Sequence, residues 1–132
     1  MTGKRILVVE NDELVRSFLE DGLVMAGYDV DTAGNGHEAL QKIDQEDYDL
    51  IICDMRMPEL DGAGLCRALA RRSPQTLAHL VFLTTSDSLD ANEAFVAESG
   101  VPVLTKPIDL DDLHSVVGRM IDHVTLPEPV PA

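Results

Sequence analysis

The sequence has few aromatic residues and few basic ones. Phe, Tyr and Trp together make up 4% of the 132 residues, so a core must be built mainly from aliphatic side chains. Ten Lys and Arg against 24 Asp and Glu give a formal charge of −14, which repels nucleic-acid phosphates and anionic membranes. The basic pairs Lys4-Arg5 and Arg71-Arg72 are too sparse to form a nucleic-acid-binding stripe. We therefore expect neither nucleic acid nor membrane as a direct partner.

Cysteines and long apolar runs are also scarce. The two cysteines, Cys53 and Cys66, form neither a disulfide framework nor a CxxC metal motif, and are interpreted as small core residues in a reducing cytosol. No apolar run approaches the roughly 18 residues of a membrane span. No charged-then-apolar leader opens the chain. The sequence predicts a soluble cytoplasmic protein.

Short apolar runs alternate with amphipathic stretches along the whole chain. The predicted strands are residues 6–9, 28–33, 50–53, 80–83 and 101–104. The predicted helices are 13–26, 36–45, 65–72, 89–99 and 110–124. Asp12 and Asp109 are the predicted N-caps of the first and last helices, and Gly27 and Gly100 are predicted to end the first and fourth. The apolar positions of the first helix are Leu14, Val15, Phe18, Leu19 and Leu23. Pro102 indicates an edge position for the last strand. This alternation predicts one domain with a mostly parallel sheet and helices on both faces.

Polar residues follow four of the predicted strands. They are Glu10-Asn11-Asp12, Asp54, Thr84-Thr85-Ser86 and Thr105-Lys106-Pro107. Doubly wound sheets bind ligands at the carboxyl ends of their strands, where the strand order reverses. Clustered oxygens there suit Mg²⁺, and a lysine with a hydroxyl suits a phosphate. Together these groups indicate phosphoryl-transfer chemistry, in which positioning and charge neutralisation do most of the catalysis.

Four segments resemble the signature segments of response-regulator receiver domains, in order and in spacing, over about residues 4–124. They are Ile6-Leu-Val-Val-Glu-Asn-Asp-Glu13, Leu50-Ile-Ile-Cys-Asp-Met-Arg-Met-Pro-Glu-Leu-Asp-Gly62, Phe82-Leu-Thr-Thr85 and Thr105-Lys-Pro-Ile108. The resemblance implies a flavodoxin-like (βα)5 fold with strand order 2-1-3-4-5. The receiver domain would span residues 1–124, followed by a Pro-rich flexible tail or truncated linker over residues 125–132.

The resemblance also implies a chemistry. Asp54 would take a phosphoryl group from a phosphohistidine on a histidine kinase or phosphotransfer protein. Thr84 and Lys106 would hold the phosphoryl oxygens, and movement of Thr84 would alter the surface of the fourth helix and fifth strand. The protein would be a two-component signalling domain that catalyses only its own phosphorylation and dephosphorylation.

The implied cofactor is Mg²⁺, bound by Asp54, the backbone carbonyl of Arg56, Asn11 and, through water, Glu10. Asn11 departs from the family, which usually has a second carboxylate there. Its amide oxygen can still coordinate a hard cation, but the alternative is that Asn11 helps to cap the first helix. Val103 also departs from the family, because many receivers have Tyr or Phe three residues before the lysine.

These departures leave a second function open, a degenerate receiver that acts as a constitutive protein-interaction module. A flavin carrier would share the fold, but the loop from Glu10 to Glu13 is acidic where a flavin phosphate would bind. The sequence does not indicate the cognate kinase, the downstream target or the oligomeric state. Without an output segment, we expect a stand-alone receiver or a piece of a larger protein.

Overall fold

Strands and helices alternate along the chain. The computed structural model describes residues 4–57, 60–85 and 93–125. Its elements are β1 (Arg5–Val9), α1 (Glu13–Met25), β2 (Asp29–Ala33), α2 (Gly36–Gln45), β3 (Leu50–Asp54), α3 (Gly62–Arg72), β4 (Leu80–Thr84), α4 (Glu93–Ser99), β5 (Val103–Thr105) and α5 (Leu110–Thr125), with a single helical turn at Pro74–Leu77. The predicted helix start at Leu89 and residues 126–132 of the predicted tail lie outside the described residues.

The five strands form one parallel sheet in the order β2-β1-β3-β4-β5, which confirms the predicted order. β3 and β4 are buried at every position, which explains why they are continuous apolar runs rather than alternating ones. The strand order reverses between β1 and β3, so the carboxyl ends of these two strands lie side by side at the switch point.

The core lies in two layers, one on each face of the sheet. On one face, α1 and α5 pack Leu19, Leu23, Leu113 and Val117 against the strands. On the other face, α2, α3 and α4 contribute Ala39, Leu65, Leu69 and the partly buried Phe95. Successive strand residues point to opposite faces, as Ile51 and Ile52 do, and this period of two builds both layers. The prediction of helices on both faces is confirmed.

Several predicted helix ends are confirmed. Asp12 Oδ1 accepts hydrogen bonds from the backbone N–H groups of Leu14 (2.9 Å) and Val15 (3.3 Å) at the start of α1. Asp109 Oδ1 accepts one from Asp112 N at 2.7 Å. Gly27 and Gly100 have φ values of 98° and 69°, in the left-handed region that glycine adopts without steric cost.

Several predicted boundaries are wrong. β5 runs over Val103–Thr105, so Pro102 precedes the strand, although β5 does lie at the sheet edge. β2 begins at Asp29, one residue later than predicted. α3 begins at Gly62 rather than Leu65, because Asp61 Oδ1 accepts a hydrogen bond from Gly64 N at 2.8 Å and caps the helix there.

Both cysteines are free and buried, as predicted, and burial raises the pKa of each thiol. Among the residues described, no helix is both long enough and apolar enough to cross a membrane.

Candidate functional site

Two buried carboxylates share one ammonium group at the carboxyl edge of the sheet. Glu10 directly follows β1, Asp54 ends β3, and Lys106 directly follows β5. Lys106 Nζ lies 2.9 Å from Glu10 Oε1 and 3.1 Å from Asp54 Oδ2. Glu10 is 1% exposed and Asp54 is 5% exposed. Buried carboxylates persist as ions only where a cation or hydrogen bonds compensate the lost hydration, so the lysine holds this pair together.

Glu10 is fixed by its backbone and by its side chain. Its N–H donates to the carbonyl of Ala33 at 3.0 Å, and its Oε2 accepts from Asp12 N at 2.9 Å. Its Oε1 is buried and lies near Lys106, but receives no hydrogen bond of good geometry. Burial, with a contribution from the nearby Asp54 carboxylate, raises the pKa of Glu10, although the Asp12 N–H and Lys106 act in the opposite direction.

Asp54 is held by the loop that follows it. Its Oδ1 accepts a hydrogen bond from Arg56 N at 3.0 Å, while Met55 N donates to the carbonyl of Leu83 at 2.9 Å. The loop returns so closely that a Cβ on Gly62 would lie 2.9 Å from the Asp54 carbonyl oxygen. The glycine of the Asp61-Gly62 pair is therefore required for this close approach.

Lys106 is partly buried and forms the cationic side of the site. Its backbone N–H donates to the carbonyl of Thr84 at 2.6 Å, which fixes the end of β5 to the end of β4. Burial acts to lower the pKa of Lys106, but the nearby Glu10 and Asp54 carboxylates outweigh it, and the pKa is raised. The side chain is charged at neutral pH.

The remaining predicted site residues are placed differently. Thr84 is 1% exposed, and its hydroxyl donates to the carbonyl of Thr85 at 3.3 Å rather than to a site carboxylate. The Asn11 side chain is exposed, and Asp12 rather than Asn11 caps α1, so the capping interpretation of Asn11 is wrong. Arg56 contributes its backbone N–H, while its side chain is exposed. Val103 is partly buried in β5, opposite Phe82 of β4.

The donor set of the site suits a hard cation. Among the described residues, no three His, Cys, Asp or Glu side chains are grouped as a metal cage. Mg²⁺ does not require one, because it binds through one or two carboxylates and keeps several of its waters. Glu10 Oε1, a buried oxygen without a hydrogen bond, is the kind of atom that such a cation or its water would satisfy. The site therefore fits Mg²⁺ on chemical grounds.

Two features of α1 were not predicted from the sequence. Arg16 Nη1 donates to the carbonyl oxygen of Glu10 at 2.9 Å. Leu14 and Phe18, predicted as part of the apolar face of the helix, are 83% and 42% exposed. They line a groove of about 480 Å³ next to the site, together with Val15, Leu19, Thr85, Lys106, Pro107 and Ile108. Helical spacing alone does not distinguish an apolar residue in the core from one beside a surface groove.

The sequence and the fold both match known receiver domains. Residues 6–118 match the family "Response regulator receiver domain". The response regulator receiver protein CpdR of Brucella abortus is 34% identical over 118 residues, covering 89% of this chain and 97% of that protein. The transcriptional regulatory protein YrkP of Bacillus subtilis is 37% identical over 123 residues, but those residues are 92% of this chain and 51% of YrkP. The chain therefore spans about half the length of this second relative.

Solved structures give the same result. The signal receiver domain of a signal transduction histidine kinase from Syntrophus aciditrophicus superimposes with a TM-score of 0.82 at 32% identity, covering 98% of both chains. The chemotaxis response regulator CheY4 of Vibrio cholerae superimposes with a TM-score of 0.80 at 29% identity, covering 90% of this chain and 99% of that one. The chain belongs to the family of response regulator receiver domains of two-component systems.

Proposed function

We propose that Asp54 accepts a phosphoryl group from a phosphohistidine of a histidine kinase or phosphotransfer protein, and that this modification switches a protein-interaction surface. One observation carries the proposal: a buried carboxylate at the end of β3 lies 3.1 Å from a lysine ammonium group. A carboxylate in that setting is a nucleophile held in one orientation, with a cation already beside the point where negative charge arrives.

In the proposed reaction, a carboxylate oxygen of Asp54 forms a bond to phosphorus as the P–N bond of phosphohistidine breaks. The electron pair of the P–N bond stays on the ring nitrogen, and the imidazole leaves as the neutral ring because its other nitrogen carries a proton in the reacting phosphohistidine. Lys106 neutralises charge on the phosphoryl oxygens, and the Thr84 hydroxyl exchanges the Thr85 carbonyl for one of them. Because Asp54 and Glu10 are buried, bulk water is largely kept from the acyl phosphate. The domain catalyses its own phosphorylation and dephosphorylation and no other reaction.

Glu10, Asn11, Asp54 and the backbone carbonyl of Arg56 would hold Mg²⁺ in this proposal. When bound, the cation neutralises the carboxylates and the incoming phosphoryl group. The chain itself holds the reacting carboxylate of Asp54 in place, and so fixes where the positive charge of the cation is needed. Asp54 already engages Lys106 through one oxygen and the Arg56 N–H through the other.

The apolar groove beside the site supports a protein as phosphodonor. Lys106 and Thr85 line the same groove as Leu14 and Phe18, so a partner seated against α1 reaches the site directly. Exposed apolar residues grouped beside a reactive centre are typical of a protein-interaction surface. We propose that the histidine-bearing partner packs apolar side chains into this groove.

Phosphorylation is tested with acetyl phosphate and Mg²⁺, followed by borohydride trapping and mass spectrometry. We expect a single adduct on Asp54 that is lost in Asp54→Asn. Asp47→Asn, in an exposed loop before β3, removes an equal charge and should be labelled like the wild type. An adduct that persists in Asp54→Asn, or no labelling where a control receiver is labelled, would refute the proposal.

The constitutive interaction module is the second candidate. Asn11 favours it, because the amide supplies no second carboxylate and the residue is exposed. The same experiment separates the two functions. A constitutive module remains unlabelled and binds its partner equally with and without acetyl phosphate.

A further inference from the structure

Arg16 reaches back from α1 to the end of β1. Its Nη1 donates to the carbonyl oxygen of Glu10 at 2.9 Å, and its side chain is partly buried, whereas Glu13 and Ser17 on the same helix are exposed. Its backbone N–H donates to the carbonyl of Asp12 at 2.9 Å. Arg16 therefore ties the first turn of α1 to the residue that precedes Asn11.

The position of this bond matters more than its strength. The Glu10 carbonyl belongs to the peptide group that joins Glu10 to Asn11, two residues of the proposed cation site. A peptide group is planar, so holding its oxygen fixes the plane from which the chain continues into Asn11. The other bonds of Glu10 are made by its N–H and its Oε2, and neither atom belongs to this peptide group.

Among the residues that the structure describes, the Arg16 guanidinium group makes a hydrogen bond to a carbonyl rather than a surface ion pair. Within residues 4–57, 60–85 and 93–125, no ion pair joins Arg16 to a carboxylate. Its positive charge instead strengthens the hydrogen bond to the carbonyl, because charge-assisted bonds are stronger than neutral ones. The partly buried Arg16 side chain therefore helps to fix the conformation of the loop after β1.

We propose that Arg16 is a positioning residue for the cation site, which orients the Glu10–Asn11 peptide group so that both side chains are directed at Mg²⁺. The inference rests on the proposed function, because it concerns the same cation. Residues that orient metal ligands in this way typically alter metal affinity by about 10- to 100-fold when they are removed.

The test is a Mg²⁺ titration without phosphodonor, followed by amide NMR shifts at a temperature where every variant is folded. Arg16→Ala should weaken Mg²⁺ binding by about tenfold, and Arg16→Lys, which keeps a charged donor, should recover part of the loss. Arg119→Ala is the matched control. It removes the same charge from an exposed side chain whose Nε donates within its own helix, to the Ser115 carbonyl, and should leave the affinity within about twofold of wild type.

Equal affinities for wild type and Arg16→Ala would overturn the inference while leaving the cation site intact, as would an equal loss in Arg119→Ala. Absence of Mg²⁺ binding by the wild type would instead overturn the proposed cation site, and the inference with it. If Arg16→Ala does not fold, the guanidinium resonances of the wild type decide. The Arg16 signals should shift on adding Mg²⁺ while those of Arg119 do not, and an unshifted Arg16 overturns the inference.

Discussion

Lys106 and Asp54 lie 52 positions apart in the chain and are joined by an Nζ–Oδ2 contact of 3.1 Å. The same Nζ lies 2.9 Å from Glu10 Oε1, so one positive charge is shared by two carboxylates. The three side chains together carry a net charge of about −1 when all are ionised, which leaves the site short of positive charge before any cation binds. Unbalanced negative charge is energetically unfavourable in a buried site, and the raised pKa of Glu10 is a consequence.

Glu10→Gln should reduce the loss of metal-free stability that occurs as the pH rises above about 4.5. Burial raises the pKa of Glu10 in the folded protein, so the folded state keeps this proton to higher pH than the unfolded state does. The stabilisation is complete below the unfolded pKa and is lost as the pH rises through the folded pKa. Glutamine has no proton to lose and should be free of this contribution.

The measurement is urea unfolding of both proteins in EDTA between about pH 4 and pH 7. Glu98→Gln, at an exposed position of α4, is the control and should follow the wild-type slope. The interpretation fails if Glu10→Gln and wild type lose stability in parallel over this range.

The fold and the reactive centre could largely be predicted from the sequence, for a physical reason. The strands β1, β3 and β4 are short apolar runs that end directly on polar residues, and parallel strands bring such ends to one edge. Glu10, Asp54 and Lys106 are accordingly found together. The ends of the helices and strands were less predictable. The start of β5 depends on where Pro102 interrupts the strand, and the start of α3 depends on one hydrogen bond accepted by the Asp61 side chain.

Gly62→Ala should destabilise the protein by about 1–3 kcal/mol, the usual cost of forcing an extra methyl group into a packed site. A Cβ there would lie 2.9 Å from both the Asp54 carbonyl oxygen and Met55 Cα, and neither backbone atom can move without disturbing the site. Gly118→Ala, in the interior of α5 where an added Cβ would meet open space, should have the opposite effect. Alanine is favoured over glycine inside a helix by up to about 1 kcal/mol.

Urea unfolding of the two variants beside wild type measures both changes. A neutral or stabilising Gly62→Ala would show that the loop after β3 can relax, and that the glycine is not needed for the close approach.

Side-chain partnerships across elements could not be predicted. The bond from Arg16 to the Glu10 carbonyl joins a helix to a strand end through a long flexible side chain, and a polar residue on an amphipathic helix is ordinarily solvated. Leu14 and Phe18 occupy positions typical of a core face, yet they are 83% and 42% exposed. Whether such residues enter the core depends on how much of the helix surface is covered by the sheet, and the local sequence does not determine this.

Phe18→Ala should slow phosphotransfer from the cognate histidine-bearing partner by about tenfold, equivalent to about 1.4 kcal/mol of lost docking energy. Labelling by acetyl phosphate should be unchanged, because that donor needs no docking surface. Stability should fall by much less than the roughly 3–5 kcal/mol of a fully buried Phe→Ala change, since Phe18 is 42% exposed.

Met25→Ala is the matched control, because Met25 is 77% exposed on the same helix but does not line the groove. Rates from both donors, measured side by side, test the groove. An equal loss with acetyl phosphate would assign Phe18 to the site itself, and no loss with either donor would remove the groove from the docking surface.

Asn11→Asp should tighten Mg²⁺ binding while lowering metal-free stability near neutral pH. The added carboxylate attracts the cation but repels Glu10 and Asp54 when no cation is present. Two unit charges about 5 Å apart repel by about 3 kcal/mol at an effective dielectric of about 20, and by about 0.8 kcal/mol in bulk water. Because the Asn11 side chain is exposed, we expect a penalty nearer the lower figure.

Lowering the pH should narrow the stability difference between the two proteins, because protonation of the crowded carboxylates removes their repulsion. The measurements are a Mg²⁺ titration and a metal-free thermal melt of wild type and Asn11→Asp, each at about pH 7 and pH 4.5. Helix capping cannot account for a change in either, since Asp12 makes the cap of α1. An unchanged Mg²⁺ affinity would therefore mean that residue 11 does not face the cation, and the site would then rely on Glu10, Asp54 and the Arg56 carbonyl alone.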